Sequence, residues 1–117
     1  MSQAAGIAIL IVALIHVYIL ILEMFLWTKP AGLRAFGLTP EKAESSKVLA
    51  ANQGLYNGFL AAGLIWSLQV SHGFPIAIFF LTCVIIAGVF GAVTASRKIL
   101  YVQALPAVIA LVLVHFP

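Results

Sequence analysis

Four apolar runs, over residues 4–27, 48–70, 74–95 and 99–116, occupy most of the chain and decide what it can fold into. Each reaches the ~17–25 residues that carry a helix across the hydrocarbon core of a bilayer. The fourth is the shortest and fits with little tilt. Of the 117 residues 64% are hydrophobic and 8% are charged, whereas a soluble domain carries roughly 25% charged residues. Membrane strands would need alternating polarity and a closed barrel, and that alternation is missing. The reading is all-α: a single integral membrane domain over residues 1–117, built as a four-helix bundle. Its helices are expected at about 4–27, 40 or 48 to 70, 74–95 and 99–116.

The start, "MSQAAGIAIL", has no positively charged region, and the first apolar run is too long for the core of a cleavable signal. The first helix is therefore expected to remain. A lone cysteine, Cys83, allows no intrachain disulfide and reads as small packing. The net charge of +3 does not point to nucleic acid, because its six basic residues fall in two loops. Lys29, Arg34, Lys42 and Lys47 lie between helices 1 and 2, and Arg97 and Lys98 between helices 3 and 4. With four spans both loops share one side, which the positive-inside rule makes cytoplasmic. Both termini then face outward.

The long connection "TKPAGLRAFGLTPEKAESSK" has its own punctuation. Pro30 and Gly32 end helix 1 shortly after Trp27, an interfacial anchor. "LTPEK" reads as a helix start, with Thr39 as cap, Pro40 in the first helical position and Glu41 in the first turn. Either helix 2 begins near Pro40 and projects below the membrane, or a short separate helix precedes it. Small residues recur at every fourth position, Gly54, Gly58 and Ala62 on helix 2 and Ala87, Gly91 and Ala95 on helix 3, which suits close helix contact. Pro106 lacks a backbone donor and crowds the Val102 carbonyl, so a local distortion is expected near Gln103.

Ionisable groups inside such runs ask for a reason. Seven residues advance a helix by about 700°, so His16 and Glu23 share a face, roughly 10 Å apart along the axis. Helix 2 carries Asn52, Gln53, Tyr56 and Asn57, helix 3 Thr94 and helix 4 Gln103. Counted inward from Lys29, Lys47, Arg97 and Lys98, the residues Glu23, Asn52, Thr94 and Gln103 lie within one to two turns of one interface. His16 and Asn57 lie deeper. A charged carboxylate at the centre of a membrane helix costs about 2.5–3.5 kcal/mol, and one interhelical hydrogen bond recovers about 0.6 kcal/mol. Glu23 is then protonated, several times hydrogen-bonded, or in contact with cavity water.

The pattern predicts a polar pocket opening to the cytoplasm, drawn from His16, Glu23, Asn52, Gln53, Tyr56, Asn57, Thr94 and Gln103. Interhelical hydrogen bonding without a ligand is the plainer reading of Gln53, Asn57 and Thr94, and a buried neutral ring that of His16. No metal site is expected, because His16 and Glu23 are two turns apart and nothing completes a coordination shell. No nucleophile accompanies His16 and Glu23, so their acid–base pairing names no reaction, and no cofactor is implied.

At "HVYILILEMFLW", "KVLAANQGLYNGFLAAGLIW" and "GVFGAVTASRKILYVQALPAVIAL" the chain resembles the bacterial family called domain of unknown function 1304. The resemblance spans nearly the whole chain, and His16, Glu23, Asn52, Gln53, Asn57 and Gln103 stand out within those motifs. It implies a small four-helix protein of the bacterial inner membrane and names no activity. A more distant likeness is to the membrane-associated proteins of eicosanoid and glutathione metabolism. They are similar in length, helix number and long first cytosolic loop. That likeness implies a homo-oligomer, a trimer ahead of a dimer, with sites between subunits and an enzyme of the membrane glutathione-transferase type. Their second helix opens on several arginines, then Asn and an acidic residue. Here Lys47 stands alone before Asn52, and Tyr56 takes the acidic place, so glutathione is not carried over.

Small multidrug exporters are similar in length, in having four helices and in a membrane-embedded glutamate on helix 1. The expectation is a pocket for a small amphipathic molecule in a bilayer-embedded homo-oligomer. A proton-coupled transporter using Glu23 and a non-catalytic scaffold subunit stand beside it, and the sequence does not choose between enzyme and non-enzyme.

Overall fold

The computed structural model describes every residue from Met1 to Pro117 and is all-helical, without strands. Helix α1 spans Gln3–Met24, α2 Pro30–Phe36, α3 Pro40–Gln69, α4 Phe74–Thr94 and α5 Leu105–Leu113. A π-helical turn, Leu100–Ala104, leads directly into α5. By length and composition α1 and α4 can cross a membrane. The continuous apolar stretch Leu100–Leu113 is shorter, and the polar residues Asn52, Gln53 and Asn57 dilute α3.

The helix ends follow from local chemistry. The Ser2 hydroxyl accepts a hydrogen bond from the Ala5 N–H at 3.1 Å, capping α1. At its other end the Leu26 N–H reaches back to the Ile21 and Leu22 carbonyls, and Pro30 starts α2 one short turn later. Gly37, with φ 62°, closes α2 in the left-handed region that only glycine enters without strain. Thr39 then caps α3, its hydroxyl accepting from the Lys42 N–H at 3.2 Å. From Pro40 the helix runs for 30 residues without a break, which decides between the two readings of this segment. "PAGLRAF" forms a separate helix, and α3 is one rod about 45 Å long.

Buried positions trace lines at alternating steps of four and three residues. On α1 they are Ala5, Ile9, Val12, His16, Ile19 and Glu23. On α3 they are Ala50, Gly54, Asn57, Ala61 and Leu64, and on α4 Ala77, Leu81, Val84 and Gly88. The four-residue stripes expected from the small residues hold at Gly54, Gly58 and Gly91, where an added β-carbon would meet Met24, Leu20 and Ile99, and fail at their other positions. Ala62 and Ala87 are exposed, and Ala61 and Gly88 take their places in the buried lines. A step of four advances about 400° and drifts off one face, whereas alternating steps of three and four stay on it.

Two compact units are distinguished, Met1–Ile15 with Leu60–Pro117, and His16–Phe59. In the first, Ala5, Ile9, Val12, Leu64, Ala77, Leu81, Val84, Ala107, Ala110 and Val114 form one apolar core. Alanines at the contact points let its helices approach closely. In the second, α1 and α3 run antiparallel, with Leu20 against Gly58 and with Glu23 and Met24 against Gly54. The Trp27 ring packs on Phe36 of α2 with centroids 4.8 Å apart. Its indole N–H donates to the Ser46 hydroxyl of α3 at 3.1 Å.

Candidate functional site

Within the unit His16–Phe59 the last turn of α1 meets the middle of α3 at one buried polar contact. The Asn57 amide donates from Nδ2 to Glu23 Oε1 at 2.6 Å and to the Gln53 carbonyl of its own helix at 3.2 Å. Glu23 is 3% exposed and Asn57 7%. Counting residues from the loops puts Asn57 deeper than Glu23, yet the two side chains meet. The Cα–Cβ bonds of every helix lean toward its N-terminus. On antiparallel helices Glu23 therefore leans along α1 toward the deeper level, and Asn57 leans back along α3 to meet it.

Gly54, one turn before Asn57, makes the approach possible. A β-carbon there would stand 2.6 Å from Met24 Cγ and 3.1 Å from Glu23 Cβ. The spacing of Gly54 and Asn57 carries the site: a small residue to admit the helix, then an amide to meet its carboxyl.

Beside this pair lies a cleft of about 360 Å³, lined by Glu23, Met24, Phe25, Trp27, Thr28, Lys47, Val48, Ala51 and Asn52. Its volume falls in the ~300–1,000 Å³ range of small-molecule sites. Met24, Phe25, Val48 and Ala51 supply apolar surface, and Glu23, Asn52 and Lys47 supply polar groups. Asn52 donates to the Val48 carbonyl at 2.9 Å, and Lys47 pairs with Glu44 one turn earlier on α3. Trp27 is held on the rim by Ser46, whose hydroxyl in turn donates to the Lys42 carbonyl at 2.6 Å.

The residues expected at a single pocket fall in both units. Glu23 and Asn57 touch, and Asn52 lines the same cleft. Gln53 and Tyr56 are exposed, with Tyr56 edge-on to Phe59 at 5.9 Å. His16 is 1% exposed, one heptad before Glu23 on the buried line of α1. Thr94 and Gln103 belong to the other unit; Thr94 donates to the Phe90 carbonyl at 2.7 Å, and Gln103 is half-buried in the π-turn. Sequence reasoning missed the part played by Lys47, Trp27 and Ser46. Their signal was available in part, since Lys47 lies five residues before Asn52 and Trp27 four after Glu23.

The family model described as "Protein of unknown function (DUF1304)" matches residues 10–115. The chain belongs to the DUF1304 family. It is also similar to "Uncharacterized protein YpaA" of Lactococcus lactis subsp. lactis (strain IL1403), with 35% identity over 106 residues, 88% of this chain and 89% of the relative. No solved structure matches. The more distant likeness to membrane proteins of eicosanoid and glutathione metabolism finds no support in these comparisons. Membership of DUF1304 names no reaction, so a functional reading has to come from the site.

Proposed function

We propose that this is a four-span protein of the bacterial inner membrane whose cleft opens to the cytoplasm and binds a small amphipathic molecule. Glu23, held from behind by Asn57, forms its inner wall, and Asn52 and Lys47 its polar mouth. The observation that carries the reading is the buried Asn57–Glu23 hydrogen bond at the edge of a cleft with apolar walls. The membrane assignment draws support from the apolar lengths of α1 and α4 and from Ile7, Ile11, Leu14, Phe79, Ile86, Phe90 and Val93, which are exposed on them. Water would oppose such faces, whereas lipid tails solvate them. The confinement of Lys and Arg to the two segments 29–47 and 97–98 supports a cytoplasmic mouth with both termini outside.

Mass spectrometry of the protein in native lipid discs tests the proposal. The wild-type chain retains one small amphiphile per binding site above the bulk-lipid background, and Asn57→Ala or Glu23→Ala loses it. Retention that is equal in all three chains, or absent from the wild type, refutes the binding role.

A second reading rests on the same carboxyl. Glu23 is the one acidic side chain on the buried line of α1, a placement also suited to exchanging a proton for a substrate. That reading requires proton-dependent flux in vesicles that Glu23→Gln abolishes. A pure scaffold would tolerate Glu23→Gln together with Asn52→Ala without loss of function.

A further inference from the structure

On α3 the side chains of Leu49, Gln53 and Tyr56 follow one another at steps of four and three, on a face that flanks the buried line. Leu49 is 75% exposed and Tyr56 62%, and Gln53 is exposed between them. The neighbouring amides are occupied within the chain, Asn52 on the Val48 carbonyl and Asn57 on Glu23 and the Gln53 carbonyl. The Gln53 amide makes no such bond. It lies six residues beyond Lys47, about 9 Å further along the axis. If α3 crosses the bilayer as proposed above, on which this inference rests, that depth is hydrocarbon. Lipid tails offer an amide nothing, and an unsatisfied polar group there costs several kcal/mol.

We infer that this face of α3 is the contact between copies of the chain, closed by Gln53 amides pairing across the symmetry axis. A primary amide is self-complementary, because each one brings both donors and an acceptor. In an isologous contact the same residue faces itself, so one Gln53 satisfies the other. No charge opposes the approach, since α3 has no charged residue after Lys47. Leu49 and Tyr56 supply apolar and aromatic area on either side, as membrane helix contacts require when no hydrophobic drive exists between lipid-solvated surfaces. The partner that this surface fits is a second copy of this chain.

Cysteine crosslinking in native membranes tests the contact, on a full-length Cys83→Ser background. Oxidation should link Gln53→Cys and Tyr56→Cys chains into covalent pairs, and leave Val93→Cys, 80% exposed on α4, unlinked. Gln53→Leu in the otherwise native chain should lower the association constant in native lipid discs, roughly threefold for each hydrogen bond lost. A Gln53→Cys thiol that is shielded from a water-soluble maleimide yet forms no pair overturns the contact and leaves the membrane reading standing. Rapid labelling by that maleimide in sealed vesicles overturns the membrane placement of α3, and the contact with it. Equal linking at Val93→Cys, or linking of Gln53→Cys to a different protein, also overturns it.

Discussion

A methyl group on Gly54 would stand 3.1 Å from the β-carbon of Glu23, so the backbone of α3 lies against the very residue whose carboxyl Asn57 engages. That closeness predicts a graded response. Gly54→Ala gains about 1 kcal/mol of helix propensity and strains Met24 and Glu23 by about as much, leaving stability nearly unchanged. Gly54→Leu has no room and costs about 3 kcal/mol. Unfolding in mixed detergent micelles checks the order. Equal stability of the Leu variant would show that α1 and α3 do not approach as described.

Substitutions at Glu23 separate shape from charge. Glu23→Gln keeps an oxygen that accepts from Asn57 and should fold and assemble as the wild type does. Glu23→Ala leaves an amide N–H of Asn57 buried without that acceptor, a loss of about 1–3 kcal/mol. Glu23→Lys sets two donors against each other within an apolar helix and should abolish accumulation in the membrane. Quantitative immunoblotting of membrane fractions reads all three, and normal accumulation of the Lys chain would contradict the buried contact.

The tie between Trp27 and Ser46 is suited to a double-mutant cycle. Trp27→Phe retains an aromatic ring against Phe36 but loses the N–H, and Ser46→Ala removes the acceptor. Each should cost about 1 kcal/mol. The double variant should cost little more than either alone, because both remove one bond. Additive losses would show that the two residues act separately.

The all-helical class is legible in the sequence, and the differences in detail have physical causes. Thr39, Pro40 and Glu41 carry their signal locally, and α3 starts where they place it. Four-residue spacing suggests contact at Ala62, Ala87 and Ala95 too, where the helical twist rotates the residue away. Residue counting puts Asn57 with His16, deeper than Glu23, because it gauges depth at Cα atoms, and the lean of two side chains on antiparallel helices is invisible to that count. The capping by Ser2 and the Trp27–Ser46 bond depend on single hydroxyls that no periodicity marks.

Topology is testable through the loop charges. With Arg97 and Lys98 cytoplasmic, a C-terminal alkaline phosphatase fusion should be active and a C-terminal green fluorescent protein fusion dark. The opposite result would place the termini inside and the cleft mouth outside.

The π-turn makes the last prediction. Pro106 has no N–H for the carbonyl four residues back, Val102, and its ring crowds that oxygen. The backbone widens over Leu100–Ala104, ending two residues before the proline. Opposite this turn Gly88 is buried, and a β-carbon there would stand 2.8 Å from the Ala104 nitrogen. Backbone does not swing aside as a side-chain tip does, so Gly88→Ala should cost about 2 kcal/mol. Pro106→Ala restores the donor and removes the ring, and the turn should tighten toward α-helix, rotating Gln103 by roughly 100°. Labelling of a Gln103→Cys, Cys83→Ser chain by a membrane-permeant thiol reagent reads that rotation. A rate unchanged by Pro106→Ala would mean that packing against α4, rather than the proline, holds the wide turn open.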